Sequence, residues 1–273
     1  MPFLNLVGGY NMLLQLTLAL LLIFSSFPLG VTGNTMDQEW LLHPVHTGNP
    51  YIEEKEDSGQ KCYIKMIKIR NHQEVITPPE TEANILYYGK VKLGSPAKEY
   101  AMLLDLEGEN KFIWVDSDGN KDYGRETKYQ IFKSDRYPGI EVYYSPVPLA
   151  FQVEYHFKDQ VFINPLQMDL PYLLLQRAGF DDYLILKTRT WLTTNLLYYE
   201  EEIPVALVDL NHNGTFNDPD DMIYFDSDYD LNFAPQEGKK LKEAATVRLK
   251  SRKRLKLDYQ FIPEKLTIIK DGK

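Results

Sequence analysis

Phe151-Gln-Val-Glu-Tyr-His-Phe157 is the stretch that decides the fold class. Phe151, Val153, Tyr155 and Phe157 alternate with Gln152, Glu154 and His156. Successive side chains of an extended chain fall on opposite faces, so one face here is apolar and the other polar. This is the period of a half-buried strand. Leu255, Leu257, Tyr259 and Phe261 alternate in the same way with Lys256, Asp258 and Gln260. From Ile85 onward, runs rich in Val, Ile, Leu, Tyr and Phe are separated by turns of Gly, Asn, Asp and Pro, and no long stretch carries helical periodicity. The expected class is mainly β, with few or no long helices after the first segment.

That first segment differs chemically from the rest. Of the 273 residues, 39 are Asp or Glu and 30 are Lys or Arg, and none of these lies within 1–33. Leu13 to Phe27 is almost wholly apolar, and Pro28 and the small residues of Val31-Thr32-Gly33 follow it, as in a signal peptide cleaved after Gly33. The departure is the lack of a Lys or Arg before the apolar core. The expectation is an exported protein, periplasmic or extracellular; the alternative is an uncleaved N-terminal anchor. The single Cys excludes an intramolecular disulfide, no Cys or His spacing suggests zinc, and a net charge of −9 argues against a nucleic-acid partner.

The remainder divides into an N-terminal edge and linker (34–84, with a strand at Cys62–Ile69), a first β/acidic-loop unit (85–145), a β connection (146–187) and a second unit (188–273). The two units share an ordered series. Tyr100-Ala-Met-Leu-Leu-Asp-Leu106 is followed by Phe112-Ile-Trp-Val-Asp-Ser-Asp118, and Pro204-Val-Ala-Leu-Val-Asp-Leu210 by Phe216 and then Ile223-Tyr-Phe-Asp-Ser-Asp228. Aligning Asp105 with Asp209 leaves six extra residues, Asn217 to Met222, in the second loop. The expected architecture is a pseudo-repeat of two such units.

The loop Asp209-Leu-Asn-His-Asn-Gly-Thr-Phe-Asn-Asp-Pro-Asp-Asp221 carries the strongest chemistry. Oxygen side chains stand at positions one, three and five and Gly at six, as in a calcium loop of the form D-x-[DN]-x-[DN]-G. The expected ligands are Asp209, Asn211, Asn213, the Thr215 carbonyl and, at position twelve, Asp220 in place of the usual Glu. His212 is expected to point outward between them. Weaker candidates are Asp226, Asp228, Asp230 and Asn232 in one turn and Asp116, Asp118, Asn120 and Asp122 in the other. Seven Asp and no Lys or Arg lie between Asp209 and Asn232. Such crowding favours a bound Ca2+, although Asp, Asn and Gly also build ordinary hairpin turns.

Tyr100 to Asp122, Phe151 to Phe157, Gln176-Arg-Ala-Gly-Phe180 and Val205 to Phe233 together resemble a group of exported bacterial β-rich proteins with EF-hand-like or dockerin-like calcium loops. The resemblance implies an exported β protein with calcium loops and no particular reaction. Tyr87-Tyr-Gly-Lys-Val-Lys-Leu-Gly-Ser-Pro96 with Asp105 also looks like the first lobe of a pepsin-like aspartic protease. There, however, a hydroxyl residue and Gly must follow the catalytic Asp, whereas Asp105 is followed by Leu106-Glu107 and Asp209 by Leu210-Asn211.

No spacing identifies an acid and nucleophile pair for glycoside hydrolysis, and Ser145, His156 and Asp159 form no Gly-flanked nucleophile motif. No catalytic residue is assigned. Lys239 to Lys256 holds nine basic residues and one acid, with apolar residues alternating as in a charged hairpin. The expected function is that of a noncatalytic, calcium-binding structural or interaction protein whose partner is an envelope or extracellular protein or glycan. The alternative is a secreted hydrolase, directed at glycan or peptide, with structural calcium.

Overall fold

The structure is a computed structural model describing residues 38–46, 62–70, 76–137, 140–157, 159–175, 181–198, 201–226, 228, 230, 233–243, 247–248, 254–257 and 265–269. The expected signal segment 1–33, the stretch 176–180 and Asn232 lie outside the described residues. Among the described residues no helix is long and apolar enough to cross a membrane.

The chain is mainly β, as its alternation requires. β1 (Gln38–Leu41) and β2 (His43–Val45) come first. They are followed by β3 (Cys62–Arg70), β4 (Ile85–Leu93), β5 (Lys98–Asp105), β6 (Lys111–Val115), β7 (Lys128–Lys133) and β8 (Glu141–Tyr144). Next come β9 (Leu149–Phe157), β10 (Gln160–Leu175) and β11 (Asp182–Thr188), then β12 (Trp191–Tyr198), β13 (Glu201–Val208), β14 (Met222–Phe225) and β15 (Gly238–Lys240). β16 (Val247–Arg248), β17 (Arg254–Leu257) and β18 (Lys265–Ile269) end the series.

Strands β3 to β8 form an antiparallel meander; β8 pairs with the end of β10, β10 with β11, and β11 returns to β3. The result is a closed eight-stranded barrel, which leaves no bare sheet edge around its wall. The closing pair shifts register between Asp169 and Tyr172, where Pro171 has no N–H to give the ladder. β9 pairs with the first half of β10 as a hairpin. The barrel draws on the expected linker, first unit and connection alike.

Phe151, Val153 and Tyr155 of β9 are buried in the barrel's apolar cluster, while Gln152 and His156 are exposed, as the alternation anticipates. β5 is buried on both faces. Its Tyr100, Met102 and Leu104 join that cluster, whereas Ala101 and Leu103 lie in a second cluster with Leu86, Tyr88, Trp114 and Tyr123. Double burial is why 100–104 is a continuous apolar run.

A five-stranded sheet, β15-β14-β13-β12-β2, holds the second acidic hairpin, and a four-stranded sheet, β1-β18-β17-β16, holds the basic C-terminal strands. β16 and β17 pair as the expected hairpin, with Val247 opposite Leu255. Arg189 and Thr190 link barrel and five-stranded sheet. The Arg189 guanidinium donates to Asp169 (3.0 Å) and to the His46 carbonyl (2.9 Å), and Thr190 Oγ1 accepts the Gln167 N–H at 2.8 Å.

Candidate metal centres

Both acidic turns leave the second strand of a hairpin. The Asp116 N–H bonds Ala101 O at 2.9 Å after β6, and the Asp226 N–H bonds Pro204 O at 3.1 Å after β14. Val115 pairs with Met102, and Phe225 with Val205. Met102 is therefore the counterpart of Val205, whereas alignment on the first Asp set it against Ala206. A slip of one residue turns each side chain to the other face. Asp105 corresponds to Val208, and Asp209 to Leu106; the second loop is longer by seven residues, not six.

Beyond the hairpins the two acidic turns share local features. The carboxylate oxygens of Asp116, Asp118 and Glu126 lie within 4.8 Å of one another, and those of Asp226, Asp228 and Glu237 do the same. In each set the first acid is buried, the second exposed and the third intermediate. The turn is shared: Asn120 N–H donates to Asp118 Oδ1 (3.1 Å) and Asp230 N–H to Asp228 Oδ1 (3.3 Å). Seven residues after the first Asp comes a buried aromatic, Tyr123 or Phe233. A 3-10 turn starts at the first aromatic (Tyr123–Arg125, with Glu126 as its C-cap) and just after the second (Pro235–Glu237), and it brings in the third acid.

Glu126 and Glu237 were missed from the sequence, since neither lies in a loop motif. Their common signal is the offset from Asp-Ser-Asp, ten residues from Asp116 after one hairpin and eleven from Asp226 after the other. Asn120 and Asp122 shape the first turn instead of joining its cluster: Asn120 Oδ1 accepts the Asp122 N–H (2.6 Å), and Asp122 caps the 3-10 turn by accepting the Gly124 N–H (3.1 Å).

Burial raises the pKa of Asp116 and Glu126 above the ordinary carboxylate values, with neighbouring acids adding to the effect and backbone or Ser117 hydrogen bonds opposing it. Desolvation and nearby acids likewise raise Asp228. Crowded carboxylates of this kind are stabilised as anions by a cation among them. Three carboxylate oxygens this close together, one of them from a buried acid, could hold a metal ion.

The Asp209 loop is built differently. Asp209 is fully buried, and its two oxygens accept four hydrogen bonds: His212 N–H (2.7 Å) and Asn213 N–H (3.3 Å) on Oδ1, Gly214 N–H (2.8 Å) and Thr188 Oγ1 (2.8 Å) on Oδ2. An ionised carboxylate has about four acceptor sites, so a cation at Asp209 must displace one of these donors. Asn211 Nδ2, Asn213 Nδ2 and Thr215 Oγ1 converge on Asp218 Oδ2 at 3.0, 2.7 and 2.7 Å. Asp220 turns to the surface and pairs with Lys240 and Lys242 at 3.0 and 2.6 Å. Its neighbour Asp221 is the inward residue, accepting the N–H groups of Leu210 and Asp218 at 3.0 and 2.9 Å.

His212 does not point outward. It is buried, and its Nδ1 accepts the Thr188 N–H at 2.9 Å. The turn to bury it is taken at His212 itself, where φ is 59°, and again at Gly214, where φ is 77°. With Gly94 N–H on Asn213 O (3.1 Å) and Phe216 packed on the barrel cluster, the loop is seated on the barrel. Burial pushes Asp209 up to about 6 and Asp221 up to about 7, and drives His212 down to about 4.

Asp105, the other acid of the protease-like stretch, is held separately by Thr81 Oγ1 and the Glu107 N–H. The half-buried Cys62 thiol is pushed up to about 11, first by burial and then by the charge of Asp209, which makes it a poor nucleophile at neutral pH. No family model matches the chain, and no curated protein or solved structure matches it either.

Proposed function

We propose that the protein is an exported, noncatalytic calcium-binding protein whose two acidic clusters order loops for contact with an envelope or extracellular partner. The observation that carries this reading is the recurrence of one cluster at one place: Asp, Asp and Glu with the same order of burial, after two hairpins in different sheets. Duplication of a strand–turn–aromatic–Glu unit accounts for the shared spacing.

Hard carboxylate oxygens favour Ca2+ or Mg2+ over softer metals, and irregular loops suit the larger, geometrically tolerant Ca2+. Asp116, Asp118 and Glu126 would hold one ion and Asp226, Asp228 and Glu237 the other. The Asp209 loop supports a structural role, since its first acid is already engaged by four donors. The test is calorimetric calcium titration of the protein and of Asp116→Asn/Asp226→Asn, together with a hydrolase screen. Loss of saturable binding in the variant supports the assignment. Glycan or peptide turnover that is abolished by substituting an acid outside the loops would instead establish the hydrolase reading.

A further inference from the structure

The two clusters differ at one buried position. Seven residues after the first Asp stands Tyr123 in one copy and Phe233 in the other, so the first cluster has a hydroxyl that the second lacks. Tyr123 is 2% exposed, and its hydroxyl has no hydrogen-bond partner among the described residues. An unmet buried hydroxyl costs free energy, and phenylalanine would fill nearly the same space without it.

The backbone sets this side chain beside the acidic cluster. Tyr123 O accepts the Glu126 N–H at 3.3 Å, and the ring packs in one apolar cluster with Ala101 and Trp114. Ala101 O accepts the Asp116 N–H, and Trp114 precedes Asp116 by two residues on β6. Ring and recessed carboxylate thus rest on the same strands. Burial raises the ionisation of the Tyr123 hydroxyl first, and the charge of Asp116, the neighbouring Tyr88 and the charge of Glu126 raise it further. The hydroxyl is neutral and lies in the field of Asp116 and Glu126.

We propose, on the basis of the calcium reading above, that Tyr123 is an affinity-setting residue of the first site, its hydroxyl oxygen accepting a hydrogen bond from a water carried by the bound cation. Calcium ions in loops of few carboxylates retain water, and the O–H groups of such water need acceptors on the protein side. Among the described residues the hydroxyl has no partner, and the water of a bound calcium ion supplies one. The second site, with Phe233, lacks this contribution.

The experiment is calcium titration by calorimetry of the full chain carrying Asp226→Asn and Asp228→Asn, so that only the first site is read, with and without Tyr123→Phe. The expected result is calcium binding weakened about five-fold by Tyr123→Phe, the size of one hydrogen bond. In chelator the same substitution leaves Tm unchanged or higher, because an unmet polar group has been removed. Unchanged affinity overturns the proposal, as does an equal loss of Tm in chelator and in calcium, which marks a purely structural tyrosine. If the chain with Tyr123 intact takes up no calcium while folded, the calcium reading itself fails, a result separate from the two preceding ones.

Discussion

The Thr188 hydroxyl, at the end of the barrel's closing strand, donates to Asp209 Oδ2 at 2.8 Å and so ties the acidic loop of the five-stranded sheet to the barrel. The same residue donates its N–H to His212 Nδ1, giving the loop two bonds to one position. Thr188→Val keeps the shape of the side chain and removes the donor to a buried charge. The expected loss is about 1.5–3 kcal/mol of unfolding free energy in a denaturant titration. A change under about 0.5 kcal/mol would mean that the loop does not depend on this tie.

Gly214 tests the same seat by a different route. Its φ of 77° disfavours any side chain, and an added Cβ would lie 3.0 Å from Leu166 Cδ2. Gly108 has a comparable φ of 67°, but open space where a Cβ would go. Gly108→Ala should cost about 1 kcal/mol in backbone strain, and Gly214→Ala more than that, because Leu166 must also shift. Thermal unfolding of the pair reads the difference; equal losses would show that the loop is not pressed on the barrel.

The pH dependence has opposing limbs. Asp209 and Asp221, raised to about 6 and about 7, are more readily protonated folded than unfolded, so their contribution is full below the ordinary carboxylate range and is lost as pH rises through those values. His212, lowered to about 4, acts the other way: its contribution is present above the ordinary histidine value and lost as pH falls towards 4. In chelator, the two raised carboxylates outweigh the one histidine, so stability should fall from about pH 4.5 to about pH 7 and level off above that, and Asp221→Asn should flatten this alkaline limb. Melting curves across pH 4.5–8.5 check this; an alkaline limb unaltered in Asp221→Asn would contradict it.

Asp220→Ala separates the surface acid from the proposed sites. Asp220 faces Lys240 and Lys242 in solvent, and these amines hold its carboxyl below the ordinary carboxylate value. Calcium affinity should be unchanged, and any small loss of Tm should vanish in high salt. A large fall in affinity would return Asp220 to the ligand set.

The strand pattern was legible because it reports a face: Phe151, Val153 and Tyr155 are buried where their alternation puts them. Barrel closure was not, since the pairing of β11 with β3 joins residues far apart in sequence and leaves no local trace. The Asp105–Asp209 alignment matched letters, whereas Met102–Val115 and Val205–Phe225 show that pairing sets the equivalence. Spacing in the Asp209 loop showed alternate oxygens but not where their hydrogen bonds go. Thr188, which takes up one Asp209 oxygen, comes from another sheet. Asp218 and Asp221 went unnoticed beside Asp220 because only the fold of the turn decides which acid faces in.

The central claim is that the two Asp-x-Asp and Glu clusters hold calcium, and calorimetric titration of the folded protein tests it most directly. The account predicts saturable uptake at two sites, with Glu126→Gln and Glu237→Gln each weakening one of them. Folded protein that shows no saturable calcium binding, or binding untouched by both substitutions, would contradict it.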